Sequence, residues 1–291
     1  MKRFLSKTIF LILLAVMVLV SYYLLRLWLL KPLNSDAVYV WGDSQTYQGI
    51  QIDLLSKNIS CPICSAAEHG NGVYDFLVFT ENIPDSSICL IGFSEACLLR
   101  KISSDNNHSG VNIPSMVALY ESGYPLSEIV NIFTLNRGIP KRQFSESHYM
   151  YSYSDTISLP ESVEDWCNMF ETEDIYHYYK QRAYLSGIEK LHQKGCELIV
   201  ISFPIYYVVE ECASNSLNRI KTNALKEKIL ELYDMEEKNF YLDSDSLLMH
   251  DLSHLNEIGA RKATQMIVDS IQFGERDYFV SIRIPAPKKN L

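Results

Sequence analysis

From Ala37 onward the chain alternates short apolar runs with stretches whose apolar residues recur at helical spacing. Ala37–Trp41, Ile59–Ala66 and Ser87–Phe93 read as strands, rich in β-branched and aromatic residues and bounded by turn residues. Thr46–Ser56, Tyr74–Glu81 and Glu95–Lys101 read as the helices between them. Two later runs, Cys196–Phe203 and Asn239–Leu242, follow the helical stretches Ile175–Lys194 and Ser214–Tyr233, and a last amphipathic helix spans Leu255–Ile271. Such alternation predicts an α/β domain over residues 37–272, built on a parallel sheet. Between Ser103 and Ser162 the rhythm breaks into a polar insertion containing "SESHYMYSYSD". Segments of that kind form a lid, a substrate wall or a plain surface excursion. Residues 273–291, ending in "RIPAPKKNL", read as a basic, proline-containing C-terminal tail.

The first thirty residues follow a different pattern. Thr8–Leu25 is an uncharged apolar run of about 18 residues, nearly enough at ~1.5 Å per residue to cross a ~30 Å hydrocarbon layer. With Leu27–Leu30 added, residues 8–30 can span with some tilt. Lys2, Arg3 and Lys7 precede the run and set the short N-terminus on the cytoplasmic side. The run ends in Tyr-Tyr and Leu-Trp-Leu-Leu and not in an A-x-A-like cleavage site, so residues 1–31 are expected to be an uncleaved signal anchor in the inner (plasma) membrane. Residues 32–36 then link it to an extracytoplasmic domain.

In 291 residues, 47% are hydrophobic and 21% charged, which suits one substantial globular domain with additions. The net charge of −9 argues against nucleic-acid binding, which needs a basic surface to neutralise phosphates. Seven cysteines leave at least one thiol unpaired if the others form disulfides. Cys61 and Cys64 have C-x-x-C spacing, but no second such pair or nearby histidine pair completes a zinc site, and no metal or cofactor is implied. Most of the cysteines read as buried structural residues.

Candidate chemistry lies in the first and last strand-to-helix loops. "VYVWGDSQTYQGI" places Ser44 directly after a strand, where it is either an ordinary helix opener or a nucleophile beside helix-terminal N–H groups. "HDLSHLNEIGARKA" places Asp251 and His254 in an Asp-x-x-His arrangement before the last helix. A nucleophilic serine needs a base, and the base an orienting carboxylate. All strand-to-helix loops of a doubly wound sheet share one edge, so the two blocks can meet there.

Together, "WGDSQTYQGI" and "DLSHLNEIGA" resemble the Gly-Asp-Ser and Asp-x-x-His blocks of the SGNH/GDSL hydrolase family. The resemblance implies a flavodoxin-like three-layer α/β/α sandwich of five parallel strands, with Ser44 as nucleophile, His254 as base and acid, and Asp251 orienting the imidazole. Oxyanion donors would be Gly70 or Gly72 in "EHGNGVYD" and, after the third strand, Ser94 in "IGFSEA", where the family has asparagine. Asn71 is a possible substitute donor. Ser94 also sits in a Gly-x-Ser-x-Ala turn similar to the elbow of α/β-hydrolases, a rival nucleophile that leaves the Gly-Asp-Ser unexplained. His69 could touch substrate or be a plain loop residue, His250 ranks second as base, and His148 and His177 are expected to pack at a surface. The implied activity is a serine esterase or O-acyltransferase acting on an acylated saccharide or other small ester, in contact with envelope polysaccharide machinery. A degenerate protein that binds acylated glycan without turnover is the alternative.

Overall fold

Val38–Trp41 forms β1, and all four of its side chains are buried. An all-apolar strand of this kind belongs in the interior of a sheet covered on both faces. The computed structural model describes residues 36–99, 112–135, 163–171, 175–243 and 248–285, together with residues 7–10, 13–14, 16–18 and 21. The chain divides into two units, Met1–Asn34 and Ser35–Leu291. In the first, the described residues are helical and expose apolar side chains such as Ile9, Phe10, Leu13 and Met17. Among the described residues no helix is long and apolar enough to cross a membrane. Much of the expected span lies outside them.

The second unit is α/β, with six parallel strands: β1, β2 (Ile63–Ser65), β3 (Ile88–Gly92), β4 (Glu197–Ser202), β5 (Glu236–Tyr241) and β6 (Tyr278–Arg283). Their spatial order is β2-β1-β3-β4-β6-β5. One row of the register runs Val40, Leu90, Ile199, Tyr278 and Glu236 from the second strand to the edge. This architecture is compatible with the flavodoxin-like sandwich expected, with one strand more.

The helices between the strands are α1 (Ser44–Gly49), α2 (Ile52–Asn58), α3 (Val73–Asn82), α4 (Glu95–Leu99), α5 (Ile113–Glu121), α6 (Leu126–Leu135), α7 (Val163–Glu171), α8 (Ile175–Gln193), α9 (Tyr207–Ala213), α10 (Leu217–Tyr233) and α11 (Glu257–Ser270). Chain direction and right-handed crossovers sort them onto the two faces. The steps β1 to β2 and β5 to β6 run one way along the sheet, so α1, α2 and α11 share a face, where Val40, Leu90, Ile201 and Val280 meet Ile50, Leu55, Ala263 and Ile267. The opposite steps put α3 and α8 on the other face. That face is aromatic: Trp41 packs on Phe76 at 4.6 Å between ring centres, Phe76 on Tyr184 at 4.7 Å, and Phe93 on Phe279 edge-on at 5.4 Å.

Two expectations are corrected, the undivided first helix and the C-terminal tail. The single helix expected over Thr46–Ser56 is two, because the Gln51 N–H leaves the helical ladder to bond Thr264 Oγ1 at 2.9 Å. The part of the insertion that is described, residues 112–135, is the helix pair α5 and α6, capped by Asn112 and tied to the body where Asn112 N donates to the Tyr74 hydroxyl at 2.9 Å. The remainder of 103–162, including His148, lies outside the described residues. Finally, residues 273–291 are no tail throughout, since Tyr278–Arg283 forms β6 between β4 and β5.

Burial of Tyr278, Phe279, Val280 and Ile282 stabilises the fold by about 1.5–3 kcal/mol for each side chain. The sum is comparable with the ~5–15 kcal/mol net stability of a typical domain. A chain ending at Ile271 is therefore expected to lose its cooperative thermal transition in circular dichroism and to aggregate. A soluble truncated chain that melts cooperatively would return the segment to the standing of a tail.

Candidate active site

The turn from β1 into α1 is built by two glycines. A Cβ on Gly42 would lie 2.0 Å from Thr46 Oγ1, and one on Gly92 at the end of β3 would lie 1.9 Å from the same atom. Thr46 thus fills the space between the ends of the two neighbouring strands, and only residues without a side chain admit it. Adjacent chain ends here depart in opposite directions, the crevice where ligands bind in open α/β sheets. Asp43 is the N-cap of α1, its carboxylate accepting from Gln45 N at 3.0 Å. Because Asp43 does the capping, Ser44, the first helical residue, has its hydroxyl available for another partner.

That partner is His254. Its Nε2 lies 2.8 Å from Ser44 Oγ, and its Nδ1 lies 2.8 and 2.7 Å from the two carboxylate oxygens of Asp251. The carboxylate orients Nδ1–H toward itself and leaves Nε2 to accept the serine proton. Asp251 is no helix cap; Asn256 caps α11, accepting from Gly259 N at 3.0 Å. Asp251 Oδ1 instead accepts from the backbone N–H groups of Ser253 and His254 at 2.8 and 2.9 Å, which fixes the loop around it. The loop is closed as a tight hairpin: Met249 bridges Leu255, and His250 N donates to His254 O at 2.8 Å. His254, and not His250, meets the serine.

Two further contacts hold this hairpin against the rest of the sheet edge. The Gln45 side-chain amide donates to Ser253 O at 2.9 Å, and Tyr206 N donates to Leu252 O at 2.7 Å. Deeper down, Gln51 Nε2 donates to Glu257 O at 3.0 Å. None of these residues stands out in the sequence. Gln45, adjacent to Ser44 and buried, carries the only local signal, a long polar side chain immediately after the serine.

Burial pushes the Asp251 carboxyl upward, but the hydrogen bond and charge attraction of His254 and the two backbone N–H groups overcome it and hold the group at about 2. His69 lies beside the site: its ring packs on Tyr47 at 4.9 Å, and burial and the neighbouring His254 both lower its pKa, against the opposing pull of Asp43 and Glu68. His177, expected at a surface, is buried, with Nδ1 3.1 Å from Asn218 Oδ1 and Nε2 3.1 Å from the Gln181 amide nitrogen. It is a satisfied interior histidine.

The oxyanion candidates separate. Gly72 N donates to Asp75 Oδ2 at 3.1 Å, and the Asn71 side-chain amide donates to Gly42 O and Ala66 O at 2.9 and 2.8 Å. Both donors are committed to holding the loop after β2, which removes Gly72 and Asn71 as donors to a substrate. Gly70, in a left-handed turn at φ 79°, keeps a backbone N–H with no partner among the described residues. Ser94 is buried and caps α4, its hydroxyl oxygen accepting from Cys97 N at 3.3 Å while its proton remains available to donate. No histidine is bonded to it among the described residues, whereas Ser44 has His254.

Cys167 and Cys212 form a disulfide between α7 and α9, and the other five cysteines, Cys61 and Cys64 included, are in no disulfide. No known family model and no curated protein matches the chain.

A carboxyl held at about 2, below the ~3.9 of an unfolded aspartate, contributes stability that is full above that ordinary value and is lost as pH falls toward 2. The contribution is on the order of 2–3 kcal/mol. Asp251→Asn is expected to flatten the fall of unfolding free energy between about pH 5 and pH 2 by this amount, read by urea denaturation at each pH. An unchanged slope would mean that the carboxylate is not paired as described.

Proposed function

We propose that the chain is a serine esterase or O-acyltransferase of the SGNH/GDSL type, with a flavodoxin-like fold and a Ser44-His254-Asp251 triad. The observation that carries this reading is the unbroken hydrogen-bond chain from Ser44 Oγ through His254 to Asp251, across 210 positions of sequence. Geometry of this kind is the general requirement for an activated nucleophile: base within hydrogen-bond reach, and the base in turn oriented.

In the proposed reaction, His254 Nε2 takes the proton from Ser44 as the oxygen attacks an ester carbonyl. Asp251 stabilises the imidazolium that forms. The developing oxyanion is met by the backbone N–H of Ser44 and Gly70 and by the Ser94 hydroxyl. Collapse expels the alcohol, which receives its proton from His254, and leaves an acyl-serine. Water or a sugar hydroxyl then repeats the sequence in reverse. A hydroxyl in the asparagine position supplies one donor where an amide supplies two, and this retains the acceptor role at α4.

The substrate class, an acylated saccharide of the cell envelope, follows from the family resemblance combined with an anchor through residues 8–30 and a domain outside the cytoplasm. The Cys167–Cys212 disulfide supports that side of the membrane, because such bonds persist in oxidising compartments.

Fluorophosphonate labelling of the detergent-solubilised full chain tests the reading. Labelling is expected in wild type and Ser94→Ala, and its rate should fall by about 10⁴-fold or more in Ser44→Ala and His254→Ala. Loss confined to Ser94→Ala would move the nucleophile to the other turn, and no labelling of a folded wild type would make the protein a binder.

A further inference from the structure

Next to the triad, the carboxyl ends of β3, β4, β6 and β5 border a cleft of about 390 Å³ whose lining includes Gln45, the residue after the nucleophile. This size lies at the lower end of small-ligand sites. Four aromatic residues contribute, Phe93 after β3, Trp166 of α7, Phe203 after β4 and Tyr241 at the end of β5. The lining also holds a polar cluster centred on Arg219 in the first turn of α10. Its guanidinium bonds Glu95 of α4 through one terminal nitrogen and Glu210 of α9 through the other.

The cluster has the marks of a constructed site. Glu95 is 9% exposed, and burial, opposed by Arg219 and reinforced by Glu210, raises its pKa to about 7. A buried ion pair adds little stability over an apolar filling of the same volume. Packing therefore gives no reason to bury Glu95 against a guanidinium here, while Glu210, more than half exposed, meets the same guanidinium from the solvent side. The wall is also stapled, because the Cys167–Cys212 disulfide ties α7, which carries Trp166, to α9, which carries Glu210.

Arg219, Lys226 and Arg283 line the cleft together with Glu95 and Glu210, and Glu237 beside it adds a third carboxylate. Arg219 answers Glu95 and Glu210, and Lys226 pairs with Glu237 at 2.6 Å, a carboxylate that Arg283 also stabilises. Among the described residues, three cations against three carboxylates leave no net positive charge here for an anionic ligand. What the cleft offers is a rigid array of donors and acceptors beside aromatic faces. Neighbouring hydroxyls on a ring use both kinds of hydrogen bond at once, and the C–H faces of the same ring pack on an indole or phenol.

We propose that this cleft binds a neutral pyranose unit of the saccharide substrate, held by Trp166, Glu95, Arg219 and the exposed Asn223, with the ester directed past Gln45 toward Ser44. Its part in turnover rests on the esterase reading; the binding itself does not.

The test uses full-length protein in detergent carrying Ser44→Ala, so that no substrate is consumed, on an array of neutral, amino and acidic oligosaccharides. Binding is expected on neutral oligosaccharides and should persist at about 0.5 M salt, where charge attraction is screened within a few ångströms. Affinity should fall about tenfold in Trp166→Ala and measurably in Asn223→Ala, both with thermal midpoints near that of the parent. Binding confined to acidic glycans and abolished by salt would overturn the proposal. So would the absence of binding on the array, or binding indifferent to both substitutions. Failure of fluorophosphonate labelling, by contrast, would sink the esterase reading and leave a positive array result standing.

Discussion

The hydrogen bond between His254 and Ser44 joins the first crossover of the sheet to the last. A bond of that type contributes only about 0.5–1.5 kcal/mol net, far less than the entropy of ordering the two loops that make it. It cannot assemble the site. The geometry must be imposed by the scaffold, and the scaffold does so at several places. Thr46 wedged against Gly42 and Gly92 sets the position of α1; Gln45 and Tyr206 hold the carbonyls of Ser253 and Leu252; Asn256 starts α11 immediately after the histidine. Each contact is modest, yet together they allow His254 a single position relative to the serine. Such fixing distinguishes this pair from a surface histidine that happens to lie near a hydroxyl, because the scaffold and not the bond sets the distance.

The three triad residues were legible because their chemistry is compressed into short segments that flank a strand end and a helix start. Long-range partners were not. Gln45, Gln51 and Thr264 act through atoms 206 to 213 positions away and Tyr206 through Leu252, some through backbone groups that every residue possesses, so their local sequence carries no trace of the contact. The same difference explains the strands. β1, β3 and β4 are almost entirely buried and read as apolar runs. β5 is an edge strand in which half-buried and exposed residues alternate, and Glu236, Glu237 and Lys238 disguise its first half. Only its last part was expected. β6 was missed for another reason: Pro285 and the basic residues after it drew the whole end of the chain into one reading as a tail.

Loop residues show how weak an inference from residue type alone can be. Gly70, Asn71 and Gly72 are consecutive, and any of them suits an oxyanion loop. Their hydrogen bonds assign them different work. Asn71 holds the end of β1 to the segment after β2, and Gly72 starts α3 against Asp75, while Gly70 turns the backbone through a left-handed conformation that a side chain would strain. Ser94 likewise accepts from Cys97 N as a helix cap, which fixes its place in the turn while its own hydroxyl proton is not used in that bond.

The added strand has a mechanical consequence. With β6 between β4 and β5, the strand preceding the histidine loop lies four positions from β1, about 19 Å at the usual spacing, where a five-stranded order would put it at about 14 Å. The segment after β5 has to return across that wider edge to bring His254 to Ser44. It does so anchored to the turn after β4 through Leu252 and Tyr206, and to the start of α1 through Ser253 and Gln45. The widened edge does not close over itself. Ser202, Ser281 and Tyr241, at or near the ends of β4, β6 and β5, border the cleft that Arg219 and Trp166 complete. The extra strand therefore both lengthens the reach that the His254 hairpin must make and contributes Ser281, Ile282 and Arg283 to the border of the cleft beside it.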